Sequence, residues 1–313
     1  MSPPLHDTPI LGMVSRPKVA AAVEYGSEAN PHGFWVEYPS GLVDLSRTAH
    51  LSAGSDEEPA LDSTLLDIPV DGDRVIRVQR NATALVVIDM QRYYRANPAP
   101  AVLSLLTELL LLKQSFFLHP DLRDHPTGLK CVDPLMKIVP PLRDAGIKIL
   151  WVNWGLTEHE LKTIPPALVR GFQKNGRGGF GSELPGDFGP LLMRGAKNSE
   201  LYGPLQQEYL KGEAAGTDFW IHKNRMSGLW GYQTALDLFL EQHGITTLLF
   251  TGVNSDQCVG GSILDAYYRG YDIVLVEDCT ATTSPTGGLE NVVYNCGNSY
   301  GFVTDSSRLV NLK

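Results

Sequence analysis

From Thr83 onward, short apolar runs alternate with stretches of helical pattern, and few architectures accept that alternation. Thr83-Ala-Leu-Val-Val-Ile, Ile147-Lys-Ile-Leu-Trp-Val-Asn-Trp, Asp218-Phe-Trp-Ile-His-Lys, residues 245–251 and Tyr271-Asp-Ile-Val-Leu-Val each read as a strand, and Gly301-Phe-Val-Thr reads as an edge strand. Phe250 and its aliphatic neighbours make a short apolar run, as expected of a strand covered on both faces. Helical pattern falls between the strands at 100–116, 133–145, 228–242, 255–270 and 286–297, with Gly146, Gly244 and Gly270 as stops. Ser227 is a candidate N-cap for the helix at 228–242. Strand and helix in alternation build βαβ units, so the expectation is an α/β fold: a three-layer, doubly wound, mostly parallel sheet.

Such sheets bind ligands beyond the carboxyl ends of their strands. Asp89, Asn153, Lys223 and the turn carrying Cys258 each lie at or just past a strand end, so one edge receives four polar side chains. The stretch 248–261, Leu-Leu-Phe-Thr-Gly-Val-Asn-Ser-Asp-Gln-Cys-Val-Gly-Gly, reads as strand, sharp turn and helix start. Gly252 relieves the turn, and Ser255 and Asp256 suit an N-cap. A thiol there faces unpaired backbone N–H groups and the positive helix end, which favour thiolate and could hold an oxyanion. Attack on an amide needs a group to move the thiol proton, which Asp89 can do, while Lys223 can balance the charges and lower the thiol pKa.

Composition bounds what else the chain can be. A formal net charge of −9, with no Lys/Arg-rich tract, argues against a nucleic-acid partner. Cys131, Cys258, Cys279 and Cys296 lack CxxC spacing and are too few for a disulfide framework in 313 residues. The first residues show no basic and apolar signal pattern, and no run of about 18 apolar residues could cross a membrane, so a cytoplasmic protein is expected. Residues 1–80 are rich in Pro, Gly and Ser and form a compositional region of their own. Strands are expected at 34–38, 41–45 and 75–78, in an arm laid on the main domain or on a partner subunit, with the domain proper at 81–313. Residues 155–215 lack clear periodicity, and a connection of that length inside a domain reads as a lid or binding loop.

Three segments carry a resemblance. Ala84-Leu-Val-Val-Ile-Asp-Met-Gln, Lys223-Asn-Arg-Met-Ser-Gly-Leu and Gly252-Val-Asn-Ser-Asp-Gln-Cys-Val, in that order and spacing, are similar to the signatures of the isochorismatase-like cysteine hydrolases. The likeness covers about residues 80–313. It implies Cys258 as nucleophile, Asp89 as general acid and base, and Lys223 as their charged partner. It also implies a cis peptide between Val253 and Asn254, with the backbone N–H groups of Asn254 and Cys258 as oxyanion hole. The activity implied is cleavage of a C–N bond in a small amide or ureido compound through a thioester, as in the ureidoacrylate amidohydrolase and N-carbamoylsarcosine amidase branch.

Departures narrow the expectation. Nicotinamidases carry an Asp-x-His metal site after the third strand, where this chain has Asn153-Trp154-Gly155, so neither metal nor cofactor is expected. His159 with Glu158 or Glu160, and the group His119, Asp121, Asp124 and His125, read as solvated loop. Vinyl-ether hydrolases of the family lack the cysteine; they and a non-catalytic binding protein on the same fold remain the alternatives. Arg225 is a candidate clamp for a substrate carboxylate, and Gln91, Tyr93, Asn153, Trp154 and Trp230 are candidate pocket walls. The expected partners are a small-molecule substrate and further copies of the chain, as a homodimer or homotetramer.

Overall fold

A computed structural model describes residues 16–27, 29–30, 32–51, 55–91, 126–173, 178–184 and 186–312. The helix expected at 100–116, the group His119 to His125 and the pocket candidate Tyr93 lie outside those residues. The N-terminal stretch forms a five-stranded sheet: β1 (Val23–Gly26), β2 (Phe34–Glu37), β3 (Leu42–Asp44), β4 (Leu65–Val70) and β5 (Arg74–Gln79). Their order is β1-β2-β3-β5-β4, antiparallel except for β3 beside β5. Where the sequence suggests an arm with short strands, the structure has a folded sheet. The alternation in β4 and β5 explains it, since Leu66, Ile68, Ile76 and Val78 are all fully buried in the main core.

The main sheet has six strands: β6 (Thr83–Ile88), β7 (Lys148–Trp154), β8 (Asp218–Lys223), β9 (Thr247–Val253), β10 (Asp272–Ala281) and β11 (Gly301–Thr304). Their order is β11-β10-β9-β6-β7-β8 and every pairing is parallel. From β6 the chain winds outward through β7 to β8, then crosses back to β9 and winds the other way. The order therefore reverses between β6 and β9, and in sheets of this kind the ligand crevice lies there, at the strands' carboxyl ends. Asp89 follows one of these strands and Cys258 the other.

Helices flank the sheet: α1 (Val132–Asp144), α2 (Glu158–Leu161), α3 (Pro166–Phe172), α4 (Pro204–Ala215), α5 (Ala235–Gln242), α6 (Gly260–Tyr268) and α7 (Gly288–Asn295). The helix expected from 228 starts only at Ala235, and its cap is Thr234, whose hydroxyl accepts from the Asp237 N–H. Gly231 at φ 117° and Gln233 at φ 51° keep the preceding segment out of helix, and the Ser227 hydroxyl caps only a turn, accepting from the Leu229 N–H. Residues 155–215 hold α2, α3 and α4 rather than one irregular loop.

The N-terminal sheet is bolted to the β10–β11 edge. The Arg47 guanidinium forks onto Asp272 at 2.8 and 2.7 Å, and Trp35 Nε1 and the Thr247 hydroxyl donate to the same carboxylate. The Asp71 N–H donates to the Val303 carbonyl and the Thr304 hydroxyl donates to the Pro69 carbonyl, so the edge strand β11 is covered.

Candidate active site

Gly252 sets the approach of the two central strands. Its φ is 103°, and a Cβ there would stand 2.0 Å from the Ile88 carbonyl oxygen. Only glycine lets β9 pass β6 this closely. Beyond it the Val253–Asn254 peptide is cis, and a wide π-type turn, Ser255–Val259, leads into α6. The Ser255 hydroxyl pairs with that of Thr280 at 2.8 Å, and the Thr280 hydroxyl donates to the Gly252 carbonyl. The turn thereby holds Cys258 over the crevice.

Three side chains meet there. Lys223 Nζ lies 2.9 Å from Asp89 Oδ2 and 3.5 Å from Cys258 Sγ. It donates to the Arg225 carbonyl at 3.2 Å and the Met226 carbonyl at 3.1 Å, and stands 3.7 Å above the Trp154 ring. The ammonium is thus desolvated but surrounded by negative and π-rich partners. Cys258 Sγ also lies 3.5 Å from Met226 Sδ. All three side chains are buried, Asp89 fully so.

Burial governs the protonation of the cluster. It pushes the Asp89 carboxyl above its ordinary range, although Lys223 pulls the other way. It pushes the Cys258 thiol well up too; Lys223 opposes this, while the Asp89 charge adds to it. Burial therefore opposes the thiolate that the helix end and the nearby ammonium favour.

The neighbouring polar groups are unusual. Among the described residues, both amide atoms of Asn153 and the Trp154 Nε1 are buried without a hydrogen-bond partner, whereas Asp89 Oδ2 is met by Lys223. Native interiors rarely leave such atoms unmet, and a polar ligand is one partner that would satisfy them.

The other candidate residues divide. Gln91 is fully buried and serves the fold: its amide nitrogen donates to the Trp154 and Ser199 carbonyls, and its oxygen accepts from the Trp154 N–H. Arg225 does not offer a fork to a carboxylate, since Nη1 and Nη2 donate to the Asn224 and Thr163 carbonyls. Trp154 lies beneath Lys223 and packs against Phe172 and Phe180, with centroids 5.4 and 4.9 Å away. Trp230 is 45 % exposed, on a loop whose carbonyls at Leu229 and Gly231 accept from Arg269. Glu160 is occupied as the capping partner of Thr157 and as acceptor from Asn224, and no three His, Cys, Asp or Glu side chains converge among the described residues. Sequence reasoning missed Met226, which touches the thiol; nothing in the strand and helix pattern marks it.

A thiol, a carboxylate and an ammonium thus meet at the switch point of a parallel sheet, where folds of this class bind their ligands. The chain belongs to the isochorismatase family, whose domain model matches residues 83–306. Ureidoacrylate amidohydrolase RutB of Cronobacter turicensis is 26% identical over 226 residues, covering 72% of this chain and 86% of that protein. The corresponding protein of Acinetobacter baylyi is 26% identical over 236 residues, 75% of this chain and 85% of its own. Among solved structures, N-carbamoylsarcosine amidase from Thermoplasma acidophilum is 25% identical with a TM-score of 0.46, covering 72% of this chain and 96% of that one.

Proposed function

We propose that the protein is a cysteine amidohydrolase that cleaves a C–N bond of a small amide or ureido compound. The observation that carries the reading is the three-way contact in which Lys223 Nζ lies 2.9 Å from Asp89 and 3.5 Å from Cys258. The names of the relatives, which are amidohydrolases of ureido compounds, support the substrate class.

Burial opposes ionisation of the thiol, so attack on the carbonyl carbon calls on a base, and Asp89 takes the proton as the S–C bond forms. Lys223 offsets the charge that remains in a site without solvent. The carbonyl oxygen becomes an oxyanion, received by the backbone N–H groups of Asn254 and Cys258. Collapse breaks the C–N bond, and Asp89 returns the proton to the departing nitrogen, leaving a thioester. Asp89 then takes a proton from water, which adds to the thioester and releases the acid with the thiol restored. A carboxyl raised by burial suits this double duty, because its affinity for protons lies nearer neutrality than that of an exposed carboxylate. The Asn153 amide and the Trp154 Nε1–H are buried donors and an acceptor without partners, which a planar amide could engage.

Rapid acid quench during turnover, followed by mass spectrometry of the peptide carrying Cys258, tests the route. An acyl adduct on Cys258 that is absent in Asp89→Asn supports it. Turnover with no adduct, and undiminished in Cys258→Ala, refutes it.

A further inference from the structure

The position of the Lys223 ammonium depends on a segment with no regular structure. Two of its contacts are the carbonyls of Arg225 and Met226, which lie in residues 224–234, where neither helix nor strand fixes the chain. Lysine has a flexible four-carbon stem, so a fixed ammonium needs fixed acceptors. Asn224 Nδ2 donates to Glu160 Oε1 at 2.6 Å, and Arg225 Nη2 donates to the Thr163 carbonyl at 2.8 Å. Arg225 Nη1 folds back onto the Asn224 carbonyl at 2.8 Å, joining the two contacts. On the far side, Glu160 Oε2 accepts from the Thr157 N–H and hydroxyl at the start of α2, so the anchor is itself held. The same stretch of chain reaches Lys223 a second way: Phe172 and Phe180, stacked with centroids 4.1 Å apart, press on the Trp154 ring beneath the ammonium.

We propose that Asn224 and Arg225 are positioning residues: they latch the strand end that carries Lys223 to residues 157–163 and so hold the ammonium between the carboxylate and the thiol. This rests on the amidohydrolase reading only for what the ammonium does in turnover; the placement itself is independent of it. Arg225 thus acts on the chemistry through its neighbours' carbonyls rather than by touching a substrate. The latch joins the residues that reach the thiol's charged neighbour to residues 157–163, so its integrity sets the electrostatics of Cys258. The charged groups acting on that thiol are Lys223, at the end of β8, and Asp89, at the end of β6.

The test uses the full chain with Arg225→Met, which keeps the aliphatic stem and removes the donors, and Arg225→Lys, which keeps one donor within reach of the Thr163 carbonyl. Iodoacetamide labelling of Cys258 is followed from pH 6 to 10, alongside kcat and KM for any amide the wild type hydrolyses and a thermal melt. The expected result is a labelling profile displaced to higher pH in Arg225→Met, about tenfold slower near pH 8, with partial return in Arg225→Lys. kcat falls more than KM rises. A profile that superimposes on the wild type while the melting temperature drops means that Arg225 is merely structural, and overturns the proposal. A displaced profile in a protein that hydrolyses no amide upholds the latch and counts against the amidohydrolase reading instead.

Discussion

Replacing Lys223 by methionine removes the ammonium and leaves a side chain of similar length beside Asp89. Both partners are almost wholly buried, at 1% and 0% side-chain exposure. The carboxyl is already raised by burial, and Lys223 is the charge that pulls it back. Without that charge the native carboxyl takes up a proton. An unfolded aspartate titrates near 3.9, so holding that proton at pH 7 costs at most about 1.4 × 3.1, or roughly 4 kcal/mol. That agrees with the cost of about 3–5 kcal/mol for removing one partner of a buried pair. The sign with pH follows. The native variant binds a proton that the unfolded chain releases, so stability falls as pH rises above about 4 towards the raised native value. Within that window the slope approaches about 1.4 kcal/mol per pH unit. Urea unfolding of wild type, Lys223→Met and the double variant Lys223→Met/Asp89→Asn between pH 5 and 8 reads this directly. The single variant should recover stability on acidification, and the double variant should lose that extra slope. A single variant as stable as wild type at pH 7, with a parallel pH dependence, would refute the reasoning.

Other expectations follow from the same contacts. Asp89→Asn removes a charge that raises the thiol pKa and leaves Lys223 facing Cys258, so labelling near pH 8 should quicken by about tenfold while turnover vanishes. Equal or slower labelling would show that the carboxylate does not oppose the thiolate. Gly252→Ala places a Cβ on the Ile88 carbonyl at a positive φ, and should cost about 3 kcal/mol or more, read as a lowered melting temperature or loss of soluble protein. Arg47→Met strips the forked contact from Asp272, which keeps Trp35 and Thr247 as donors. A loss of about 2 kcal/mol, with faster proteolysis of residues 16–80, is expected; unchanged proteolysis would mean that the N-terminal sheet is held by its apolar contacts alone.

The parallel sheet was legible because its central strands, β6 and β9, are buried along their whole length and read as short apolar runs between helical stretches. That Asp89, Lys223 and Cys258 come together was legible because each lies at or just past a strand's carboxyl end, where this fold gathers polar groups. What stayed hidden depends on contacts between segments distant in sequence. Arg225 reads as a free guanidinium until Thr163, 62 positions away, is seen to occupy it. Gln91 reads as a pocket wall until both ends of its amide are found tied to the backbone. The late start of α5 is a local conflict, since Gly228 and Leu229 fit the helical period but Gly231 and Gln233 adopt positive φ. α4 was missed because its sequence, Pro-Leu-Gln-Gln-Glu-Tyr-Leu-Lys-Gly-Glu-Ala-Ala, carries too weak an apolar stripe to stand out. The helix-end effects on Cys258 can be read from sequence, whereas the burial that opposes them requires the packed structure.

The most direct measurement is ammonia or amine release from a panel of small amides and ureido acids by wild type, Cys258→Ala and Asp89→Asn side by side. The account predicts release by the wild type from at least one compound and none from either variant, with both variants folded by circular dichroism. Release that survives in folded Cys258→Ala would contradict the central claim, since the thiol would then have no part in the reaction.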